Sequence, residues 1–274
     1  MTTGLMCLID GLASDRLPVT DRGLAYGDGL FETLAVIDGR PRYWSRHLAR
    51  LARGCARLGL AMPDEDLLAA EAARLLAARR QAVLKLILTR GSGGRGYRPP
   101  QPAQPRRIFS VHDWPAAAGA AQPIAVRWCT HPLSLNPRLA GLKHLNRLDQ
   151  VLARSEWDDE FDEGLMRDLD GGVIEATAAN LFFVRDGVLV TPLLDRAGIC
   201  GVMRERLLEL ATAAGLPWLE RRVDMTEVEA ASELFLSNSV FGIRPIARLG
   251  ERSFPAPGAL TTRLLACLAT DCAA

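Results

Sequence analysis

The chain has 274 residues, 49% of them hydrophobic and 24% charged, with a formal net charge of +1. This is the makeup of an ordinary soluble globular protein, long enough for one large domain or two small ones, and it offers no electrostatic case for nucleic acid or a membrane surface as partner. No apolar run approaches ~18 residues, no signal peptide is visible, and the scattered cysteines (7, 55, 129, 200, 267, 272) and histidines (47, 112, 131, 144) show no metal-ligand spacing, so a cytoplasmic protein with reduced thiols and no metal is expected.

In chain order, Leu5 to Ile9 reads as a short strand closed by Asp10-Gly11, and Gly29 to Ile37 as another, closed by Asp38-Gly39. Ser45 is a plausible cap for a helix from Arg46 to about Leu60, with Leu48, Leu51, Ala52, Cys55 and Leu58 on its buried face. Arg46, Arg50, Arg53 and Arg57 share another face, expected to be mostly solvated. A second helix is expected from about Asp64 to Arg80, acidic at its start and basic at its end as the helix dipole favours. An apolar strand around Lys85, a glycine-rich loop from Gly91 to Pro100 and a strand from about Arg107 to His112 follow. The Ala/Gly/Pro stretch 114–123 is the best linker, which divides the chain into domains 1–113 and 124–274.

The second segment opens with a strand from Ile124 to Thr130, and a long loop leads to Lys143. Asn146 could cap a helix carrying Leu148, Val151 and Leu152 on one face. The turn signals Asp170-Gly171-Gly172 and Asp186-Gly187 set off apolar runs at 173–184 and 188–191, an antiparallel meander. Gly198 to Gly201 introduces a helix with Met203, Leu207, Leu210, Ala211 and Ala214 on one face, ended by Gly215. A strand near Leu234 to Ser237 and a helix near 259–270 complete the pattern.

Gly91-x-Gly93-x-x-Gly96 matches the dinucleotide fingerprint and follows a strand, but two pairs of prolines rule out the helix that must receive the pyrophosphate. What remains is a mobile cationic loop in which Arg95 and Tyr97 could reach an anion. The glycines at 198 and 201 lead into a helix whose first N–H groups would suit a phosphate, a weak signal by itself. Glu175 is an acid in an apolar strand, most simply on a solvated face. The run Asp21-Arg-Gly-Leu-Ala-Tyr-Gly-Asp-Gly-Leu-Phe-Glu-Thr33 mixes glycine, acid and aromatic residues as functional loops do.

Only two of the 33 basic side chains are lysines, Lys85 and Lys143. Arginine stays protonated, whereas lysine can lose its proton and attack a carbonyl, so a lysine kept in an arginine-rich chain is a candidate for Schiff-base chemistry. The plain reading of Lys85 is a strand residue whose ammonium snorkels to an edge. Lys143, in Gly141-Leu-Lys-His-Leu-Asn146, is the stronger candidate.

The run from Asp21 to Thr33 resembles the N-terminal signature of the fold-type IV pyridoxal-phosphate enzymes, which include branched-chain and D-amino acid aminotransferases and aminodeoxychorismate lyases. His47-Leu-Ala-Arg50-Leu51, the spacing from Lys143 to Glu175, the Asn180-Leu-Phe run, the glycine-led helix at 201–204 and Ser237-Asn-Ser239 fit the same family, over roughly residues 5 to 250. Leu88 to Tyr97 and Leu139 to Leu152 resemble the lyases in particular. The resemblance implies a two-domain α+β / α/β fold, with a small N-terminal α/β domain and a larger, β-barrel-like C-terminal domain with helices. It implies pyridoxal 5'-phosphate as cofactor and Lys143 as the residue that carries it. Glu175 would partner the pyridine nitrogen. Arg50, the backbone N–H groups of Val202 and Met203, and Ser239 would hold the phosphate. It further implies a homodimer and a carbon–oxygen lyase acting on a small molecule. Arg95, Tyr97 and Arg107 are candidates for the substrate's carboxylates from their nearness to the glycine loop. An aminotransferase of the same fold would use the same lysine, acid and phosphate site, and a binding or regulatory protein that retains the fold would not need the lysine.

Overall fold

A computed structural model describes residues 7–115 and 122–273. Its backbone separates into two units, Met1–Ala118 with Lys143–Asn146, and Gly119–Leu142 with Arg147–Ala274. Residues 5 and 6 of the first expected strand and 116–121 of the expected linker lie outside the described residues.

The first unit contains β1 (Cys7–Ile9), β2 (Leu12–Ala13), α1 (Arg22–Tyr26), β3 (Gly29–Ile37), β4 (Arg40–Pro41), α2 (Trp44–Leu58), α3 (Glu65–Leu76), β5 (Gln81–Thr89) and β6 (Arg106–His112). The strands form one antiparallel sheet in the order β2-β1-β6-β5-β3-β4. Its hairpins turn where Asp precedes Gly: Asp10 and Gly11 have φ of 50° and 80°, Asp38 and Gly39 of 50° and 78°. Two successive positive φ values match the right-handed twist of the flanking strands, and Asp-Gly reaches them at little steric cost.

Strand alternation supplies the core. Leu30, Leu34, Leu84, Leu86, Leu88 and Phe109 all lie at or below 2% exposure, packed with Leu48, Leu51 and Cys55 of α2 and Leu68 and Leu75 of α3. Each buried leucine contributes about 1.5–3 kcal/mol. Asp64 caps α3, its carboxylate accepting from Leu67 N at 2.9 Å. The helix stops at Leu76, short of the expected Arg80; beyond it Arg79 and Arg80 pair with Asp113 and Asp38.

The second unit contains β7 (Ile124–Trp128), α4 (Leu148–Arg154), β8 (Glu163–Arg167), β9 (Val173–Ala176), β10 (Asn180–Arg185), β11 (Val188–Pro192), α5 (Val202–Ala213), β12 (Trp218–Arg221), α6 (Met225–Glu229), β13 (Glu233–Asn238), β14 (Gly242–Leu249), β15 (Arg252–Ser253) and α7 (Ala259–Ala273). Its mixed sheet runs β12-β11-β10-β13-β14-β7-β8-β9, with β15 on β14. It curls until its ends approach: Val173 N, opening β9, donates to Val223 O, just past β12, at 2.9 Å. This is the half-barrel the resemblance implies. Inside it lie Leu165, Leu181, Phe183, Leu234, Leu236 and Ile246, while Phe182 and Phe235 stack with centroids 5.0 Å apart on the opposite face.

Two expectations change here. The run 173–184 is two strands rather than one: β9 pairs with β8, and β10 with β11 and β13, because the chain breaks at Thr177–Ala179, where Ala176 N donates back to Ala179 O. The helix after Lys143 starts at Leu148 with Arg147, not Asn146, at its cap. Its expected apolar face is exposed, Leu148 by 75%, Val151 by 58% and Leu152 by 51%.

Candidate active site

Residues 143–146 lie along the free edge of β3, beyond the end that β4 covers. Phe31 N donates to Lys143 O at 2.9 Å, Leu145 N to Gly29 O at 3.1 Å, and Leu30 bridges His144. Asn146 fastens the segment by donating from Nδ2 to Gly27 O at 3.1 Å. The approach requires glycine at position 29, where a Cβ would stand 2.4 Å from Leu88 O and 2.8 Å from Leu145 Cδ1. This register sets Lys143 opposite Phe31 on one face of the sheet. Lys143 Nζ lies 4.2 Å from the Phe31 ring centroid, a cation held against an aromatic face.

Glu32, the next residue of β3, points to the other face and is buried to 1% exposure beneath α2. There α2 presents His47 and Arg50, one turn apart and both buried. Arg50 Nε donates to Glu32 Oε1 at 2.9 Å, its Nη2 donates to Oε2, and His47 Nδ1 donates to Oε2 at 2.6 Å. Burial alone would raise the Glu32 carboxyl, but the Arg50 charge and the bonds from His47 and Arg50 outweigh it and hold the pKa at about 2. Burial lowers His47, aided by the charges of Arg50 and Lys143, while Glu32 opposes. The ring is therefore neutral at pH 7, with its proton on Nδ1. Its Nε2 is a buried acceptor with no hydrogen-bond partner among the described residues. Of the arginine stripe, Arg53 and Arg57 are solvated as expected, whereas Arg50 faces inward.

In the second unit Glu175 is also buried rather than solvated, at 3% exposure on β9. Its Oε2 accepts from Ile199 N at 2.9 Å and Asn180 Nδ2 at 3.3 Å, and Asn180 Nδ2 also donates to Ile199 O at 2.8 Å. Asn180 thus ties the carboxylate to the glycine-led loop that enters α5. Gly198 has φ of 84°, and Gly201 has no room for a side chain, since a Cβ would stand 2.1 Å from Asn180 Oδ1. No side chain caps α5, so the first N–H groups of the helix, including those of Val202 and Met203, have no partner within it. Arg204 anchors the helix start by donating to Pro192 O at 3.0 Å and Thr191 Oγ1 at 3.3 Å. Ser239 lies half-buried in a turn organised by Asn238, whose Oδ1 accepts from Val240 N at 2.9 Å and Phe241 N at 3.0 Å.

The three substrate candidates fare differently. Arg95 and Tyr97 are exposed on the glycine loop, and the Tyr97 ring lies 5.4 Å from Tyr26. Arg22, absent from the sequence reading, clamps this loop: its guanidinium donates to Gly96 O at 3.0 Å, Tyr97 O at 2.9 Å and Asp28 Oδ2 at 2.9 Å. Arg107 is engaged elsewhere, donating from Nη2 to Glu71 Oε1 at 2.9 Å, a bond that raises its pKa further.

A model of the class IV aminotransferase family matches residues 29–249. An aminodeoxychorismate lyase of Vibrio harveyi is 34% identical over 94% of this chain and 98% of its own. The crystal structure of 4-amino-4-deoxychorismate lyase from Pseudomonas aeruginosa superposes with a TM-score of 0.90 at 48% identity, covering 97% of this chain and 99% of that one. A D-alanine aminotransferase of Listeria innocua is 25% identical over 87% of this chain and 86% of its own. The chain belongs to the class IV aminotransferase family.

Proposed function

We propose that the protein is a 4-amino-4-deoxychorismate lyase, a pyridoxal-phosphate enzyme that eliminates pyruvate and leaves 4-aminobenzoate for folate synthesis. The observation that carries this reading is the likeness, over nearly the whole chain, to two aminodeoxychorismate lyases at 34% and 48% identity. The D-alanine aminotransferase of Listeria innocua, at 25%, favours the rival less.

The donor sets fit the cofactor. Arg50 is a buried guanidinium paired with Glu32, α5 opens with no side-chain cap, and Glu175 is a buried carboxylate suited to a protonated ring nitrogen. In this reading Arg50, the N–H groups of Val202 and Met203, and Ser239 hold the phosphate, and Glu175 keeps the ring nitrogen protonated. When bound, pyridoxal phosphate supplies an electron sink for the charge left as a proton leaves the amine-bearing carbon. Lys143 would hold the cofactor and, with its amine free, would be the base that takes that proton. Departure of the enolpyruvyl ether yields pyruvate, and aromatisation of the remaining ring drives the step. Arg95 and Tyr97 stay candidates for the substrate's carboxylates; Arg107, held by Glu71, is a poorer one.

We take 1–113 and 124–274 as two domains and the protein as a cytoplasmic homodimer; the apolar side chains that α4 leaves exposed support the dimer. The test of function is to give the holoenzyme aminodeoxychorismate with no 2-oxo acid. Equal amounts of pyruvate and 4-aminobenzoate are expected. A requirement for a 2-oxo acid, with no pyruvate formed, would make it an aminotransferase. A bound cofactor that turns over no amine would make it a binding protein.

A further inference from the structure

Lys85 stands at the middle of β5, half-buried, and forms no hydrogen bond or ion pair among the described residues. This sets it apart from four buried or part-buried arginines of the same unit. Arg22 and Arg90 share Asp28, Arg106 is paired with Asp10 and Asp21, and Arg107 with Glu71. The Lys85 ammonium is therefore open to a partner from outside the described residues.

The register shows where that partner would sit. Cys7, Ser110, Lys85 and Thr33 form one cross-strand row, and Phe31 lies in the next row on the same face, opposite Lys143. The core of the unit is on the other face, under α2 and α3. Lys85 Nζ lies 5.4 Å from the Phe31 ring centroid and Lys143 Nζ 4.2 Å from it. The only two lysines of the chain thus flank one aromatic ring. Distances to a common centroid limit their separation to about 10 Å, within reach of a single small molecule that meets both. No carboxylate belongs to these two rows, so an anion arriving there meets no acid from them.

We propose that Lys85 is a substrate-binding residue that receives the ring carboxylate of the amine substrate. This rests on the lyase reading. That substrate carries its amine and its ring carboxylate on opposite sides of one six-membered ring. With the amine at Lys143 and the ring over Phe31, the far carboxylate is the group that reaches Lys85. The same carboxylate is retained in 4-aminobenzoate, so Lys85 holds product as well as substrate and selects amines with an acid across the ring.

The test compares binding of 4-aminobenzoate and its neutral isostere 4-aminobenzamide to the holoenzyme by calorimetry, for the unmutated protein and for Lys85→Met, Lys85→Gln and Lys85→Arg. Visible absorbance of the bound cofactor and near-ultraviolet circular dichroism establish that each variant is folded and loaded. The unmutated enzyme should prefer the acid to the amide by about 10- to 100-fold, the range of a charge-assisted hydrogen bond. Lys85→Met and Lys85→Gln should lose that preference and raise KM for aminodeoxychorismate by a similar factor with cofactor loading intact, and Lys85→Arg should recover part of it. A folded, loaded Lys85→Met or Lys85→Gln enzyme with the original preference and KM overturns the proposal. So does an unmutated enzyme that turns over aminodeoxychorismate yet binds acid and amide alike, an outcome that leaves the lyase reading standing. Failure of the unmutated holoenzyme to form 4-aminobenzoate at all would bring down both readings before any variant is made.

Discussion

Replacing Glu32 by Gln tests the buried cluster that braces Arg50. The substitution keeps the shape of the side chain and removes its charge, leaving the Arg50 guanidinium buried without its carboxylate. The Glu32 pKa falls from an ordinary 4.5 to about 2, which corresponds to about 3 kcal/mol of folding stability. Removing one partner of a buried pair costs about 3–5 kcal/mol by comparison with other proteins, the same range. For a chain of this size that is a drop in melting temperature of about 5–9 °C. The pH dependence carries a second signature. Because the folded pKa is depressed, the Glu32 contribution is complete above about pH 4.5 and is lost as pH falls toward about 2. The part of the gap between wild type and Glu32→Gln that comes from Glu32's own titration should therefore hold above about pH 4.5 and shrink below it. His47 acts in a separate window. Its pKa is lowered from 6.5, so on acidification the unfolded chain takes up the proton first, and both proteins lose stability below pH 6.5, by up to about 1.4 kcal/mol per pH unit. Urea unfolding of the apoprotein at a series of pH values measures both. A Glu32→Gln protein within about 0.5 kcal/mol of wild type across the series would refute the reasoning.

Gly201→Ala would place a Cβ 2.1 Å from Asn180 Oδ1, so either the start of α5 or the Asn180 side chain must move; we expect cofactor affinity to fall at least about 10-fold in a fluorescence titration, with the two-unit fold intact by circular dichroism. Arg22→Ala removes three hydrogen bonds from one guanidinium, two of them to carbonyls of the glycine loop; trypsin should then cut after Arg95 several-fold faster than in wild type, and an unchanged rate would mean that the clamp does not hold the loop. Gly198→Ala, at a φ of 84° and with a Cβ 2.7 Å from Ile174, should lower stability by about 1–3 kcal/mol in urea unfolding.

Much of the fold is legible in the chain wherever short-range chemistry decides it. Asp38-Gly39 and Asp186-Gly187 turn where Asp-Gly should, and α3 starts at Asp64 because its carboxylate finds Leu67 N. The half-barrel closure is less legible, since the bond from Val173 to Val223 joins residues fifty positions apart, a contact that periodicity does not encode. Leu148, Val151 and Leu152 show the limit from the other side. Their spacing marks an apolar face, but only the packed chain tells whether its own residues cover it. Within the site, Glu32 is the residue that was within reach and missed. It sits between Leu30 and Leu34 in a period-2 pattern, so an acid was due on the buried face and had to have a cationic partner there. Arg22 and Asn180 left no such signal, because their partners are backbone carbonyls and a carboxylate brought near by loops.

That Lys143 carries the cofactor can be tested directly because the chain has only two lysines. Borohydride reduction of the loaded protein makes the lysine–cofactor link permanent, and mass spectrometry of the peptides then locates it. The adduct is expected on the peptide that contains Lys143, with the Lys85 peptide unmodified. An adduct on Lys85, or none in protein that shows the visible absorbance of bound pyridoxal phosphate, would contradict the assignment.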